Sequence, residues 1–289
     1  MSNAQYSKRL WVLGASDPEM ASIEKLLLDH GERVAYAFSD GHRVRPENAY
    51  VTDAICNDSG NDILPQNHMP WLTIIPIECG GPGIVDREMV WGDHVYPAID
   101  HHHSGDPGYG RPPSEFLAAS SIGQVIATLT GVPANGSLVS HEVMFVAAAD
   151  HCLGAAYRGE CPGVDPNELM KWRVASRAGY QHRCLEVILN DINRARVLLR
   201  NAPEIVLCQS IRCRDMRDQY ASELPEAAAR EGLCFVARFP FHDGRTKIVC
   251  QSGSPEQIDA FMRVWGPAHG LQDIYGDPQR GFAGGYEGI

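Results

Sequence analysis

The chain has 289 residues, of which 44% are hydrophobic and 21% are charged, so it can bury a substantial core and does not resemble a disordered polymer. Its net charge of −11 excludes a broad positive surface that would bind long duplex nucleic acid. Nine cysteines without a C-x-x-C pair, and no apolar leader or membrane-length apolar run, predict a cytoplasmic protein with reduced thiols and no membrane partner.

The first elements predict a strand–helix–strand unit. Residues 9–15 form a short apolar run that is typical of a buried parallel strand. A helix should follow it, with Ser16 or Asp17 as the N-cap and Pro18 in the first turn. Residues 33–38 then predict a second strand.

Two further apolar runs each end in an acid. Residues 72–77 precede Glu78, and residues 94–99 precede Asp100. The carboxyl ends of parallel strands face the crevice where open α/β sheets bind ligands. We therefore expect both carboxylates to lie in one site.

The rest of the chain predicts helices and then a second sheet. Helices are expected over residues 114–129 and 140–149, the second of which should deliver Asp150 at its end, and one or two long helices over 166–199. The later segments are a strand at 205–210, a helix at 223–232, strands at 234–241 and 246–252 around a turn at 242–245, a helix at 254–265 and a glycine-rich tail at 276–288.

These elements predict an α/β protein of two domains. A parallel sheet flanked by helices should occupy residues 1–165, a helical linker residues 166–202, and a smaller mixed α/β domain residues 203–289. The active site is expected in the cleft between the two domains.

The run Asp100-His101-His102-His103 is the densest chemical signal. Imidazoles and a carboxylate at the end of a predicted strand suit a divalent metal. A polar surface loop is the alternative. Cys79 and Cys152 adjoin the acids, either as soft ligands or nucleophiles or, more commonly, as buried reduced thiols.

The Asp100-His101-His102 run after an apolar strand, with Ala119-Ser120-Ser121 opening a helix about 20 residues later, resembles the DHH phosphoesterases. The tail at residues 276–285 is similar to the glycine-rich motif of the companion domain that closes over the substrate in that family. The resemblance covers the whole chain. It implies a site for divalent metal, normally two manganese ions, with iron and zinc as alternatives.

Carried over residue by residue, the resemblance implies that Asp100, His101 and His102 are the catalytic residues, with His102 on the substrate phosphate. The metal ligands would be Glu19, Glu78, Asp100, His101 and Asp150. Asp17, His103 and His151 are not ligands in the family, but they lie beside the motifs and could substitute. In the tail, Arg280 could bind a substrate phosphate, and Gly281, Gly284 and Gly285 would allow a ligand to approach the backbone closely.

Several of these positions have a second interpretation or depart from the family. Asp17 could simply cap a helix, and Arg280 could be an ordinary exposed arginine. The family's leading His and second Asp of the first motif are replaced here by Ala15 and Ala21.

The expected function is metal-dependent hydrolysis of a phosphoester or phosphoanhydride in a small nucleotide or short oligonucleotide. Two alternatives stay open, namely a scaffold refitted to another metal chemistry or substrate, and a catalytically silent nucleotide-binding sensor. The partner would be a small phosphorylated molecule, and a homo-oligomer is compatible with the sequence.

Overall fold

The computed structural model describes residues 9–46, 48–63, 73–80, 84–85, 88–91, 94–137, 139–219, 221–240 and 244–288. The chain divides into two compact units. The first comprises residues 1–101, 105–108 and 118–135, and the second comprises residues 102–104, 109–117 and 136–289. The predicted domain bounds of 1–165, 166–202 and 203–289 stay a prediction.

The first unit contains the predicted parallel sheet. Its elements are β1 (Arg9–Leu13), α1 (Pro18–Asp29), β2 (Arg33–Ser39), β3 (His42–Arg43), β4 (Ala54–Cys56) and β5 (Thr73–Ile77). The strand order is β3-β2-β1-β5, and β4 also pairs with β2. β1 runs parallel to both β2 and β5, whereas β3 and β4 are antiparallel to β2.

The run at residues 94–99 does not form the expected parallel strand. A separate antiparallel sheet contains β6 (Ile84–Val85), β7 (Glu88–Trp91) and β8 (His94–Pro97). Only Ile99 reaches the parallel sheet, through an isolated bridge to Ile77. Glu78 N donates to Ile99 O at 3.0 Å. This hydrogen bond joins the residue that follows β5 to the residue that precedes Asp100.

The helix expected over residues 114–129 is interrupted. It consists of a 3-10 turn (Pro113–Glu115), α2 (Phe116–Ala119) and α3 (Ser121–Thr130). The break falls at Ser120, which has an extended backbone and whose hydroxyl accepts a hydrogen bond from Gly123 N. Ser120 is therefore the N-cap of a new helix, which is a common role for serine.

The second unit contains helices and a mixed sheet. Its elements are α4 (His141–Tyr157), α5 (Pro166–Gln181), α6 (Leu185–Asn201), β9 (Glu204–Cys208), β10 (Ile211–Asp215), α7 (Leu224–Glu231), β11 (Phe235–Pro240), β12 (Thr246–Gln251), α8 (Pro255–Ala260), a π-helical turn (Phe261–Trp265), α9 (Gly266–Ala268), β13 (Gln272–Asp277) and β14 (Phe282–Glu287). The strand order is β13-β14-β12-β11-β10-β9, with only β10 and β11 parallel among these pairs.

Both faces of the sheet in the second unit are covered by apolar clusters. Alternate residues of a strand point to opposite faces, so neighbouring residues of β11 belong to different clusters. Phe235 and Ala237 of β11 pack in one apolar cluster with Leu199 of α6. Val236 packs in another cluster with Phe261. Together with the first unit this architecture confirms the predicted α/β class with a parallel-rich sheet and a second mixed sheet.

One helix prediction for the second unit needs correction, and its glycine-rich tail forms regular structure. Residues 272–277 and 282–287, which include most of that tail, form a β-hairpin at the edge of the sheet. α4 does not end at Asp150 but continues to Tyr157 through a kink at Cys152, whose φ and ψ are −156° and 56°. The predicted turn at residues 242–245 lies outside the described residues except for its last two positions.

Among the described residues, no helix has both the length and the apolar character needed to cross a membrane.

Candidate metal centre

Three of the predicted metal ligands meet in the first unit. Glu19 lies in the first turn of α1, Glu78 directly follows β5, and His101 follows the bridge between Ile99 and Ile77. All three side chains are buried, and each offers one ligand atom within 4.8 Å of the others. The sheet and α1 thus bring together residues that are up to 82 positions apart in the chain, counted from Glu19 to His101.

Glu19 is oriented by the amino end of α3. Its Oε1 atom accepts a hydrogen bond from Ile122 N at 3.0 Å. The first backbone N–H groups of a helix have no partner within the helix, and the positive end of the helix dipole favours a carboxylate there. α3 therefore orients Glu19 and stabilises its ionised form.

Glu78 is held by its backbone and by a serine. Its φ of 49° lies in the left-handed region, which costs a residue with a Cβ roughly 1–2 kcal/mol. Ser121 Oγ donates to Glu78 Oε1 at 2.5 Å, and His101 Nε2 lies 3.3 Å from the same oxygen. A Cβ atom at Gly14 would lie only 2.4 Å from Glu78 O, so β1 approaches this backbone closely because residue 14 is glycine.

Asp100 is buried beside this group, and its carboxylate accepts hydrogen bonds from Tyr50 and from the backbone of His101. Tyr50 Oη donates to its Oδ2 at 2.9 Å, and His101 N donates to its Oδ1 at 2.7 Å. Asp106 is also buried and offers a carboxylate oxygen within 4.8 Å of Asp100. These bonds show how Asp100 orients the backbone of His101, while its catalytic role stays a prediction.

The residues around the start of α1 have structural roles or positions of their own. Asp17 is the N-cap of α1, since its Oδ1 accepts from Met20 N at 2.7 Å. Ala15 is buried in the apolar cluster of the sheet together with Cys79. Ala21 lies on the exposed side of α1.

Asp150, His151 and Arg280 meet in the second unit at the kink of α4. Arg280 Nη2 donates to Asp150 O at 3.2 Å, and Nε donates to His151 O at 3.1 Å. Arg280 Nη2 also lies 3.7 Å from Asp150 Oδ2. The kink at Cys152 interrupts the regular helix, and the guanidinium binds carbonyl groups at this break. These residues and Gly281 line a pocket of about 340 Å³.

The remaining histidines and glycines of the prediction also belong to the second unit. His102 and His103 are half-buried, with ring centroids 6.4 Å apart, and His103 stacks on Tyr275. A Cβ at Gly284 would lie 2.9 Å from the Tyr275 ring, so packing within the protein accounts for this glycine.

The other two predicted glycines also lie in tightly packed surroundings within the second unit. Gly281 has a φ of 76°, and a Cβ there would lie 2.9 Å from Gly253 O. A Cβ at Gly285 would lie 3.2 Å from the Ile274 side chain. The proposed contacts of these glycines with substrate stay predictions.

The two cysteine candidates are poor nucleophiles. Burial raises the pKa of Cys79 to about 12, and its thiol lies 3.6 Å from Val12 O. A hydrogen bond with Cys161 and burial raise the pKa of Cys152, and the two sulfur atoms are 3.3 Å apart. Since the thiolate is the reactive form, both groups favour the interpretation as buried reduced thiols.

Sequence reasoning missed the side chains that orient the predicted ligands. Ser121 stood in the quoted Ala119-Ser120-Ser121 motif, so a signal for it was present without an assigned role. Tyr50 belongs to none of the sequence motifs, and only the structure shows that its hydroxyl donates to Asp100. Gly108 was also missed, although a Cβ there would lie 2.6 Å from the Cβ of His101.

No family model matches the sequence, and no curated protein matches it. Among solved structures, the chain is similar to the pGpG-specific phosphodiesterase PggH from Vibrio cholerae. The sequence identity is 11%, the TM-score is 0.36, and the match covers 97% of this chain and 92% of that chain. A likeness of this size carries no argument about activity, so the function is inferred from the chain's own side chains.

Proposed function

We propose that the chain is a metal-dependent hydrolase of a phosphoester or phosphoanhydride in a small nucleotide or short oligonucleotide. The observation that carries this proposal is the convergence of Glu19, Glu78 and His101, three buried ligand groups within 4.8 Å of one another. Two carboxylates this close in a buried site repel each other when both are ionised. A divalent cation would offset that repulsion.

The donor set fits a first-row transition metal. Carboxylate oxygens suit manganese and magnesium, and an imidazole nitrogen shifts the preference towards manganese, iron or zinc. In this proposal Glu19, Glu78 and His101 hold the metal. A bound divalent metal would supply Lewis acidity towards a phosphoryl oxygen and would activate water.

The surrounding residues have the geometry of an orienting shell. Ser121 donates to Glu78, Ile122 N donates to Glu19, and Asp100 accepts from the backbone of His101. Such partners fix the direction of ligand atoms and typically change metal affinity by about 10–100-fold when removed. The proposed roles of His102 and Arg280 are to bind the substrate phosphate, since arginine forms paired hydrogen bonds to phosphate oxygens.

The experiment measures metal binding and hydrolysis on the same samples. Calorimetric titration with Mn²⁺, Fe²⁺ and Zn²⁺, followed by metal analysis, gives affinity and stoichiometry. Hydrolysis of a 5′-phosphorylated diribonucleotide and of pyrophosphate is then followed by chromatography. We expect at least one metal per chain and metal-dependent release of product.

Glu78→Gln is the decisive variant, and Glu142→Gln is its matched control because Glu142 is exposed in the first turn of α4. Glu78→Gln should lose both metal and hydrolysis, whereas Glu142→Gln should retain both. Undiminished metal binding by Glu78→Gln would show that the metal binds elsewhere. Metal and nucleotide binding without hydrolysis of any substrate would instead favour the sensor.

A further inference from the structure

The exposed side of α6 carries an apolar and charged seam. The opposite side of this helix is buried in the second unit through Ile188, Ile192, Ala195 and Leu199. Val187, Val197 and Leu198 are large apolar side chains that nevertheless remain 40%, 56% and 38% exposed. Single exposed apolar residues are ordinary, but these three lie on one side of one helix, one near its beginning and two near its end.

The spacing of this seam is that of a helix-pairing surface. Its positions are 187, 190, 191, 194, 197 and 198. Counted along the helix, each is three or four residues from another member of the set. This interval keeps side chains on one stripe of a helix and is the repeat by which two helices pack along their length. The apolar residues lie at both ends of the seam, and Asp191 and Arg194 lie in its middle.

The order of charges selects the direction of pairing. In a parallel pair of α6 helices, Asp191 would face Asp191 and Arg194 would face Arg194, which is repulsive. In an antiparallel pair, Asp191 faces Arg194 of the second copy and Val187 faces Leu198 of the second copy. The Asp191–Arg194 pair and the Val187–Leu198 pair have the same midpoint in the sequence, between residues 192 and 193. A single two-fold axis through that point therefore generates both pairs.

We propose that α6 is the interface of a homodimer, in which two copies of this chain pack the seam of residues 187–198 antiparallel. Arg194 is 81% exposed, with its Nη1 atom 4.0 Å from Asp191 Oδ1 of its own chain. Arg183 Nη2 of the same chain donates to Asp191 Oδ2 at 2.5 Å, so Oδ1 is the oxygen that Arg194 of the second copy would reach. The two-fold axis then generates two Asp191–Arg194 pairs between the copies. Contact between the apolar ends of the two seams buries Val187, Val197 and Leu198 away from water.

The test begins with the mass of the full chain in solution, measured by sedimentation velocity and light scattering over a concentration series. The wild type should approach twice the mass of one chain. Leu198→Glu and Arg194→Asp should both be monomeric, with circular dichroism spectra like the wild type. Val264→Glu is the matched control, because Val264 is 45% exposed on another segment of the second unit, and it should remain dimeric.

A charge exchange tests the antiparallel direction itself. Arg194→Asp and Asp191→Arg should each be monomeric alone, since their central charges are alike. Mixed together they should form a heterodimer, because each acid of one copy then faces an arginine of the other, and native mass spectrometry distinguishes this species. A monomeric wild type, a dimer that survives both Leu198→Glu and Arg194→Asp, or monomeric variants that fail to pair when mixed would each overturn the proposal.

Discussion

Gly108→Ala tests whether His101 is a metal ligand without altering any ligand atom. A Cβ at residue 108 would lie 2.0 Å from Ala119 O and 2.6 Å from the Cβ of His101. Ordinary contact begins at 3.4 Å, so the second clash alone requires about 0.8 Å of movement between 2.6 and 3.4 Å. Neither contact atom is the free end of a flexible side chain, so the main chain of residue 108, Ala119 and His101 must shift relative to one another, and His101 is displaced with it.

The size of that movement sets the expected effect. Metal–ligand distances tolerate only about 0.2 Å, so a His101 displaced several times further should no longer bind with the wild-type geometry. We expect manganese affinity to fall by about 10–100-fold, as for the loss of a ligand-orienting group. Overpacking should also lower the free energy of unfolding by roughly 1–3 kcal/mol.

The assay combines manganese titration with urea unfolding of the metal-free protein. Gly179→Ala is the control, because Gly179 lies within α5 and a Cβ there meets nothing within 4 Å. It should bind manganese normally and gain roughly 0.5–1 kcal/mol of stability. Wild-type affinity in a folded Gly108→Ala would refute the assignment of His101 to the metal centre.

Two further variants and a pH series extend these predictions. Ser121→Ala removes the donor to Glu78 Oε1 and should weaken manganese binding about tenfold, with a loss of roughly 1–3 kcal/mol in the free energy of unfolding, and unchanged affinity in titration would remove Ser121 from the orienting shell. Glu226→Ala leaves the buried guanidinium groups of Arg173 and Arg230 without their carboxylate and should cost about 3–5 kcal/mol in urea unfolding, whereas a loss below 1 kcal/mol would contradict this view. Burial opposes ionisation of Glu226, but Arg173 and the hydrogen bonds around it lower its pKa overall. Its contribution is therefore present above the unfolded pKa of about 4.3 and should disappear as the pH falls through and below that value, as acid unfolding of wild type and Glu226→Ala would show.

The sequence by itself determined the elements whose signals are local. α1 begins where Asp17 and Pro18 predicted it, because capping and the fixed φ of proline act within one turn. β1, β2 and β5 formed where apolar runs predicted strands, and Glu78 follows β5 as expected. The α/β class followed from the alternation of these elements.

Only the tertiary structure decided which segments pair across long stretches of chain. Residues 94–97 are apolar enough for the parallel sheet, yet they pair with β7, because a strand's apolar pattern does not name its neighbour. The pairing of residues 272–277 with 282–287 in a hairpin was likewise not readable from the local sequence. Gly284 in this hairpin leaves space for the ring of Tyr275.

The candidate metal centre shows the same division. The types of its proposed ligands were readable, since Glu78 and His101 stand next to apolar runs. The groups that orient them were not, because Ser121 is 43 residues from Glu78, and Ile122 is 103 residues from Glu19. Hydrogen bonds of this kind form only when the sheet and α3 are already packed, so no local pattern records them.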